Sequence, residues 1–560
     1  MKKTLPVILA LFSVLAGPCL GFDEAGLNDS QDQNQLRYEV KVTLKLIQVY
    51  VTDKKGNPVL DLTKDDFLVY DEGQKQPITE FERHVLALPA EKEKAPAEVV
   101  ETPAPSGRDL MPRKFFLLFD FAYNNAKGIL KAREAALRFI DTQLQPEDEV
   151  GVLSYSAMKS LKLHEYLTTY HKKVREAVKG FGIEQAIGRA ENFEEKYWRS
   201  VTGERSLDAS EWMAKTDALP RPAGGGEFAQ KMQFAEDSRV QVLNFGQRLS
   251  DLAKALRYVP GHKHILLFSS GVPYSLIYGI QVPFGATQAE ASSTGRSGRF
   301  ESWGESLLRQ RFEDMLKEMS SANCAIYALD TMELGSGIKT DTRMLGVFSL
   351  QKMTSATGGK YFGNINNYEM HIEKIQGLTG CYYVLGYYVD DMWDGAYHQI
   401  KVEVTKPGCK VHAQRGYFNP KPFTEYNDLE KMLHLVDLAL SEEPLFQTPV
   451  RFPLEVIPCK PGAGENLCLA AEVPVEKIRE VLAGKSEFVT VIFDDKENIV
   501  VLKRNEKNSY AVTGEVFSFG AEFSLPPGRY HCRLVIRNLE TGRGAVASTT
   551  AVIPSVSSAQ

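Results

Sequence analysis

Three short apolar runs, each ending in polar residues, constrain the fold of this chain more than any other feature. The first lies between Arg113 and Asn125 (RKFFLLFDFAYNN), and similar runs cover His262 to Gly271 and Asn323 to Thr331. Unbroken apolar runs of this length predict strands that are buried on both faces, as in a parallel sheet. Helical patterns stand between the runs, and this alternation predicts a doubly wound α/β domain.

Polar side chains follow these predicted strands where each strand ends. In open α/β sheets, ligands bind outside the carboxyl ends of the strands. The residues that we expect at this edge are Asp120, Ser269, Ser270 and Asp330. For Asp120, a ligand role and a hydrogen bond to the following loop are both open. For Asp330, a cap of the following turn is the favoured alternative to a ligand role.

The 560-residue chain is too long for one core and predicts several domains. Residues 1–21 have the pattern of a signal peptide, with Lys2 and Lys3 before an apolar run that is shorter than the roughly 20 residues of a spanning helix. We therefore expect export to the periplasm or the outside. The net charge of −6 and the lack of a basic cluster argue against nucleic-acid binding. No other segment is apolar enough to span a membrane.

Both flanks of the predicted α/β domain (residues 113–379) alternate apolar and polar residues, which indicates strands. We expect residues 38–85 and 380–420 to form one β unit into which the central domain is inserted. Short strands over 447–556 predict a C-terminal β-sandwich of Ig-like type. The remaining segments are a polar disordered stretch at 22–37, a Pro/Ala/Glu linker at 86–112, an insertion or mobile loop at about 184–228, and a linker helix within 421–446.

Several motifs follow one another in a fixed order: VTDKKGNPVLDLTKDDFLVYDEG, KFFLLFD, FSSGVP, AIYALDT, TGGKYF, YYVLGYY and RGYFNP. Through them the chain resembles, from about Tyr38 to Pro420, the von Willebrand factor A-related domain proteins of bacterial secretomes. The resemblance implies a Rossmann-like von Willebrand A domain, which usually binds partners and does not transform substrates. It also implies a metal-ion-dependent adhesion site, which in this family often takes Mg²⁺ or Mn²⁺.

The usual first motif of that site is DxSxS, whose oxygens suit a hard cation. Here Asp120, Ala122 and Asn124 take these positions, so one hydroxyl is lost and an amide replaces the other. Ser269 and Ser270 stand where a TDG-like sequence is usual, so that a carboxylate is missing as well. The resemblance thus implies a degenerate site that binds a divalent ion weakly. The candidate metal ligands are Asp120, Asn124, Ser269, Ser270 and Asp330.

The cysteines match no zinc-binding pattern. Cys459 and Cys468 flank the loop CKPGAGENLC, which predicts a disulfide across a hairpin in an oxidising compartment. Cys381 with Cys409 is a second candidate pair.

His262 and His264 alternate along one strand. They are either a transition-metal pair or the polar start of a strand, and we favour the second.

No sequence motif of a serine hydrolase, a P-loop NTPase or a zinc protease is present. The leading hypothesis is an exported, non-enzymatic protein-binding or adhesion protein. It presents Asp120, Ser270 and the loop at 281–303 to a protein or cell-envelope partner. One alternative is a structural cell-envelope scaffold that binds no metal. Another is a hydrolase with an unrecognised site that uses Asp120 and Asp330.

Overall fold

A computed structural model describes residues 42–85, 112–157, 160–181, 188–202, 227–279, 305–332, 340–390, 392, 394–457, 466–508 and 515–554. The predicted signal peptide, the polar stretch that follows it, nearly all of the 86–112 linker and the loop at 281–303 lie outside these residues. The described chain has mixed α/β structure with several sheets. None of its helices is both long enough and apolar enough to cross a membrane.

The described chain opens with four strands: β1 (Val42–Thr52), β2 (Phe67–Asp71), β3 (Gln74–Gln76) and β4 (Glu80–Val85). Strands and helices then alternate: β5 (Lys114–Asp120), α1 (Ala126–Thr142), β6 (Glu149–Ser156), β7 (Ser160–Thr168), α2 (His171–Lys179), α3 (Arg189–Thr202), α4 (Glu227–Leu256), β8 (Lys263–Ser269), α5 (Tyr274–Tyr278), α6 (Ser306–Ser321), β9 (Cys324–Asp330), α7 (Thr340–Thr357), β10 (Tyr361–Phe362) and α8 (Tyr368–Thr379).

Four strands and a helix follow: β11 (Cys381–Asp390), β12 (Tyr397–Val404), β13 (Lys410–Ala413), β14 (Gly416–Phe418) and α9 (Asp428–Leu440). The C-terminal part comprises β15 (Val450–Arg451), β16 (Glu455–Ile457), β17 (Asn466–Pro474), α10 (Val475–Leu482), β18 (Lys485–Phe493), β19 (Ile499–Asn508), β20 (Val516–Ser524), β21 (Gly528–Asn538) and β22 (Gly544–Ile553).

The central sheet has six strands in the order β10-β9-β8-β5-β6-β7. Its neighbouring strands are parallel except for β6 and β7, which form an antiparallel pair at the edge. Strands β5, β8 and β9 are buried along their whole length, which confirms the three predicted buried strands. Helices α1, α2 and α8 pack on one face, and α4, α6 and α7 pack on the other.

The chain leaves β5 towards β6 and β7, and later enters β8 on the other side of β5. The strand order therefore reverses between β5 and β8. A reversal of this kind opens a crevice at the carboxyl ends of the two strands, where α/β sheets bind ligands.

The segments before and after the central domain pair with each other. Strand β11 lies between β1 and β4, and β12 pairs with β2, which gives two four-stranded sheets. The residues packed between them include Ile47, Val49, Phe67, Leu385 and Ile400.

The apolar pattern of β1 shifts phase near Leu46, which predicts a β-bulge. That prediction is wrong, because the pairing of β1 with β11 runs without interruption from Val42 to Val49. The phase shifts because both faces of the strand are covered. Ile47 and Val49 face the core between the two sheets, whereas Leu46 and Tyr50 pack with Tyr382 in a separate cluster.

Helix α9 joins the central domain to the C-terminal part. The Asn427 side chain caps it by accepting a bond from the amide of Glu430 at 2.9 Å, as the sequence predicts. Leu435 on this helix is fully buried in a core that contains residues of α4 and also Val489 and Val535 of the C-terminal sheet. The predicted linker helix is thus a core element.

Helices α3 and α10 lie in segments for which the sequence predicts a loop or strands. Helix α3 lies inside the segment that the sequence predicts to be an insertion or a loop. This segment is helical because Ala190, Phe193 and Tyr197 form one apolar face that is buried in the core. Helix α10 interrupts the C-terminal strands and buries Ile478 and Leu482. In both helices many charged residues mask a narrow apolar face, and only the packing of that face identifies it.

The predicted Cys381–Cys409 disulfide is wrong, since Cys409 is a free thiol. Cys381 begins β11 and Cys409 precedes β13, and β1 lies between these strands. Two strand spacings are about 10 Å, beyond the roughly 7 Å that a disulfide spans between Cα atoms. Cys468 is disulfide-bonded, but Cys459 lies outside the described residues, so their pairing stays a prediction.

Candidate functional site

Asp120, Ser269 and Asp330 end β5, β8 and β9 and lie side by side at the carboxyl edge of the central sheet. Ser269 pairs with Asp330, and Phe119 pairs with Phe268 one residue earlier. All three side chains point to the face that α4, α6 and α7 cover, and their exposures are 0%, 0% and 1%. The sequence therefore correctly predicts that these residues lie at the carboxyl edge of the sheet, but their side chains are buried below the protein surface.

Both carboxylate oxygens of Asp120 accept hydrogen bonds from neighbouring residues. Its Oδ1 atom accepts bonds from the amides of Ala122 and Tyr123 at 2.9 and 3.1 Å, and its Oδ2 atom accepts the Ser269 hydroxyl at 2.5 Å. Burial raises the pKa of Asp120 to about 6, although these three bonds favour the charged form. The carboxylate thus ties the loop after β5 to the end of β8.

The other predicted ligands complete this connection. Asn124 donates from Nδ2 to the carbonyl of Phe268 at 3.1 Å and accepts the Thr331 hydroxyl at Oδ1. Ser270 donates its hydroxyl to the carbonyl of Tyr123. The role of Thr331 was missed, because no sequence pattern connects it with a residue more than 200 positions earlier.

Asp330 belongs to a separate set of contacts. Its Oδ1 atom accepts the amide of Met332 at 2.9 Å, and its Oδ2 atom accepts the hydroxyl of Tyr361 at 2.9 Å. Asp330 therefore caps the turn that follows it, and it points towards β10 and away from Asp120. The two aspartates also stand two strands apart, about 10 Å by the usual strand spacing.

The edge residues do not fit a Mg²⁺ or Mn²⁺ site as they are arranged. Such an ion needs several free oxygen ligands and usually keeps bound water. Both oxygens of Asp120 and the amide oxygen of Asn124 already accept protein donors. The hydroxyls of Ser269 and Ser270 donate into the protein. We therefore assign no chemical step at this edge to a metal.

A second acidic group lies in the β unit, where Asp71, Glu72 and His398 place ligand atoms within 4.8 Å of one another. Asn419 donates from Nδ2 to Asp394 at 2.9 Å and to His398 Nε2 at 3.0 Å. Because Nε2 accepts, neutral His398 carries its proton on Nδ1. That atom faces Asp71 at 4.0 Å and, when protonated, cannot bind a metal.

Beside the crevice lies a partly exposed aromatic surface formed by Tyr274, Tyr278 and Phe348, in which both tyrosines are half-buried. The two tyrosine rings stack with centroids 4.5 Å apart, and Phe348 lies 5.7 Å from Tyr274. Phe348 is 44% exposed. Aromatic side chains are enriched at the centres of protein interfaces, because they bury a large area with few rotatable bonds.

The aromatic surface is held rigidly against the sheet. The amide of Val272 donates to the Ser349 hydroxyl at 2.9 Å. Gly271 has a φ of +86°, and a Cβ atom there would lie 2.2 Å from the carbonyl oxygen of Gly346. Only glycine permits this close approach of the β8–α5 turn to α7. The motif FSSGVP predicts this edge, but no sequence signal pointed to Tyr274 or Phe348.

The structure also joins Ser154, His164 and Glu191, which sequence reasoning did not connect. Ser154 Oγ lies 2.8 Å from His164 Nε2, and His164 Nδ1 lies 2.8 Å from Glu191. The order of contacts is that of a nucleophile, a base and an orienting carboxylate. However, Ser154 and His164 are only 6% and 7% exposed. A substrate cannot reach the hydroxyl, so this relay ties α3 to the β6–β7 hairpin.

His262 and His264 lie at the amino end of β8 and are not arranged as metal ligands. His262 Nδ1 lies 2.6 Å from Asn323 Oδ1, and His264 Nε2 lies 2.9 Å from the hydroxyl of Tyr50. Burial lowers the pKa of His262 to about 4 and that of His264 well below its ordinary value. Both are neutral connections between the central domain and β1.

No protein-family model matches this chain, and no curated protein matches it. Among solved structures, BatB from Bacteroides thetaiotaomicron is 9% identical with a TM-score of 0.21, and the alignment covers 48% of this chain and 98% of that chain.

An aerotolerance-related membrane protein from Bacteroides fragilis is 11% identical with a TM-score of 0.22, and the alignment covers 48% of this chain and 98% of that chain. Proximal thread matrix protein 1 from the mussel byssus is 9% identical with a TM-score of 0.22, and 48% of each chain is covered.

Proposed function

We propose that this chain is an exported, non-enzymatic binding protein whose von Willebrand A-like domain recognises a protein partner in the periplasm or outside the cell. The single observation that carries the proposal is the aromatic surface of Tyr274, Tyr278 and Phe348 beside the crevice between β5 and β8. The central strand order and the antiparallel edge strand β7 support the von Willebrand A-like assignment, together with the sequence motifs.

The surroundings of the aromatic surface support a role in recognition. Arg309 and Lys352 place their charged groups 5.5 and 5.8 Å from the centre of the Tyr278 ring. An apolar centre with a charged rim is the usual arrangement at protein interfaces. The hydrogen bond from Val272 to Ser349 and the close packing of Gly271 on Gly346 hold the surface in place, which reduces the conformational entropy that binding would cost.

The proposed recognition needs no divalent ion, because the oxygens of the degenerate adhesion site are engaged within the protein. Asp120 has a structural role here: it holds the loop after β5 against β8. The scaffold alternative differs in its prediction, since a scaffold requires no partner at the aromatic surface.

The experiment is site-specific photo-crosslinking in host envelope extract, with p-benzoylphenylalanine in place of Phe348. We expect a crosslink to a defined protein, which persists in a chelator and is lost when Tyr274→Ala is added. The matched control carries the same group in place of Val552, which is 69% exposed on β22. An identical crosslinking pattern at both positions would contradict the proposal and favour the scaffold. A crosslink that is lost in the presence of a chelator would show that partner binding at this edge of the sheet depends on a metal ion.

A further inference from the structure

A cavity of about 290 Å³ lies at the opposite, amino-terminal edge of the central sheet. The β unit contributes Tyr50 and the segment from Lys410 to Arg415. The central domain contributes Asn323, Tyr327 and the turn from Thr357 to Lys360. The cavity thus lies where the inserted domain meets the β unit, and it is remote from the aromatic surface.

The charges around this cavity all have one sign. Its lining includes Lys360, Lys410 and Arg415, as well as His412, but no aspartate or glutamate. Lys360, Lys410 and Arg415 are exposed, and none of them has an ion-pair partner among the described residues. Three uncompensated cations around one concave surface create a positive potential that attracts anions. This potential is local, because the whole chain is acidic with a net charge of −6.

One polar group in the lining has unused hydrogen-bonding capacity. Tyr327 is only 6% exposed, yet its hydroxyl has no hydrogen-bond partner within the described part of the chain and can donate to a bound acceptor. Gln414 accepts a bond at Oε1 from Asn323 at 3.0 Å, which holds the segment from Lys410 to Arg415 against the start of β9.

We propose that this cavity binds a small organic anion, a phosphate monoester or a carboxylate. The cations at the mouth would form charge-assisted hydrogen bonds to the anionic oxygens. The hydroxyl of Tyr327 supplies a further donor, and the rings of Tyr50 and Tyr327 give the organic part an apolar wall. The volume suits a ligand at the small end of the usual range, about 300–1,000 Å³.

The test is calorimetric titration of the full mature chain with glycerol 3-phosphate, succinate, inorganic phosphate and, as uncharged control, glycerol. We expect one organic anion to bind with a millimolar or tighter dissociation constant, and more tightly than inorganic phosphate. Which organic anion binds distinguishes the phosphate ester from the carboxylate. Failure of both organic anions to bind, or equal or tighter binding of inorganic phosphate, would overturn the proposal.

Two double variants separate the cavity from general electrostatics. Lys410→Gln with Arg415→Gln removes two cations from the mouth, and we expect binding to weaken at least about tenfold. Lys477→Gln with Arg479→Gln removes the same charge from the exposed side of α10 and should leave the affinity unchanged. An equal loss of affinity in the two double variants would show that binding depends on the net charge of the whole chain and not on the cavity. The proposal would then fail.

Discussion

At the scale of single residues, buried polar side chains at the carboxyl edge connect strands and loops to one another. Asp120 shows this most clearly, because it is fully buried and still accepts three hydrogen bonds. A carboxyl in this position titrates differently from one in the unfolded chain. Its structural role therefore predicts a measurable dependence of stability on pH.

Burial raises the pKa of Asp120 from 3.8 to about 6, so the folded state binds this proton more tightly than the unfolded state. The stabilisation is complete below pH 3.8 and is lost as the pH rises through about 6. We expect the free energy of unfolding of the wild type, relative to Asp120→Asn, to fall by up to about 3 kcal/mol between pH 4 and pH 7. Urea unfolding at each pH measures it.

The matched control for this titration is Asp65→Asn, which makes the same substitution at an exposed aspartate. A free energy of unfolding of the wild type that rises with pH relative to that of Asp120→Asn would contradict the assignment. It would mean that Asp120 is stabilised as a carboxylate, as expected for a metal ligand or an ion-pair partner.

At the scale of elements, the C-terminal part is attached to the central domain through β18. Glu487 of this strand is fully buried. It accepts the hydroxyl of Tyr197 on α3 at 2.9 Å, Arg504 on β19 at 2.7 Å and Arg537 on β21 at 2.7 Å. One carboxylate therefore connects a helix of the central domain to three strands of the C-terminal sheet.

Glu487→Ala leaves two arginines without their shared partner, and we expect a loss of about 3–5 kcal/mol of unfolding free energy. Tyr197→Phe removes one neutral donor and should cost about 1 kcal/mol. Urea denaturation measures both, with the exposed Glu455→Ala on β16 as control. A loss for Glu487→Ala no larger than that of the control would show that the two parts are held together by apolar contacts alone.

At the scale of the whole molecule, one apolar core runs from the central sheet through α9 into the C-terminal sheet. Leu435 is 0% exposed and lies in the middle of this core. The shared core couples the unfolding of the central domain and the C-terminal part. Neither part can unfold without exposing apolar surface of the other, which destabilises it.

Leu435→Ala should therefore destabilise the whole described unit by about 2–5 kcal/mol. We expect scanning calorimetry and far-UV circular dichroism to report one transition that shifts as a whole. Leu307→Ala on α6 is the control, since Leu307 is 40% exposed and should change little. Two separate transitions, of which only one shifts, would show that the C-terminal part unfolds independently.

The sequence by itself determined the elements whose pattern is local. The buried strands β5, β8 and β9 were identified because apolar runs need no partner to be recognised. The cap of α9 follows from a short-range rule in the same way. Asp120, Ser269 and Asp330 were placed at one edge because parallel strands end together.

Only the tertiary structure decided which of these residues touch and which surfaces remain exposed. The aromatic surface combines α5 with α7, the basic cavity combines β13 with β9, and the buried relay combines Ser154 with Glu191. Contacts between residues so far apart in sequence leave no periodic signal. Whether a side chain is a ligand, a cap or an anchor depends on its burial and on the donors around it, and packing of the whole chain sets both.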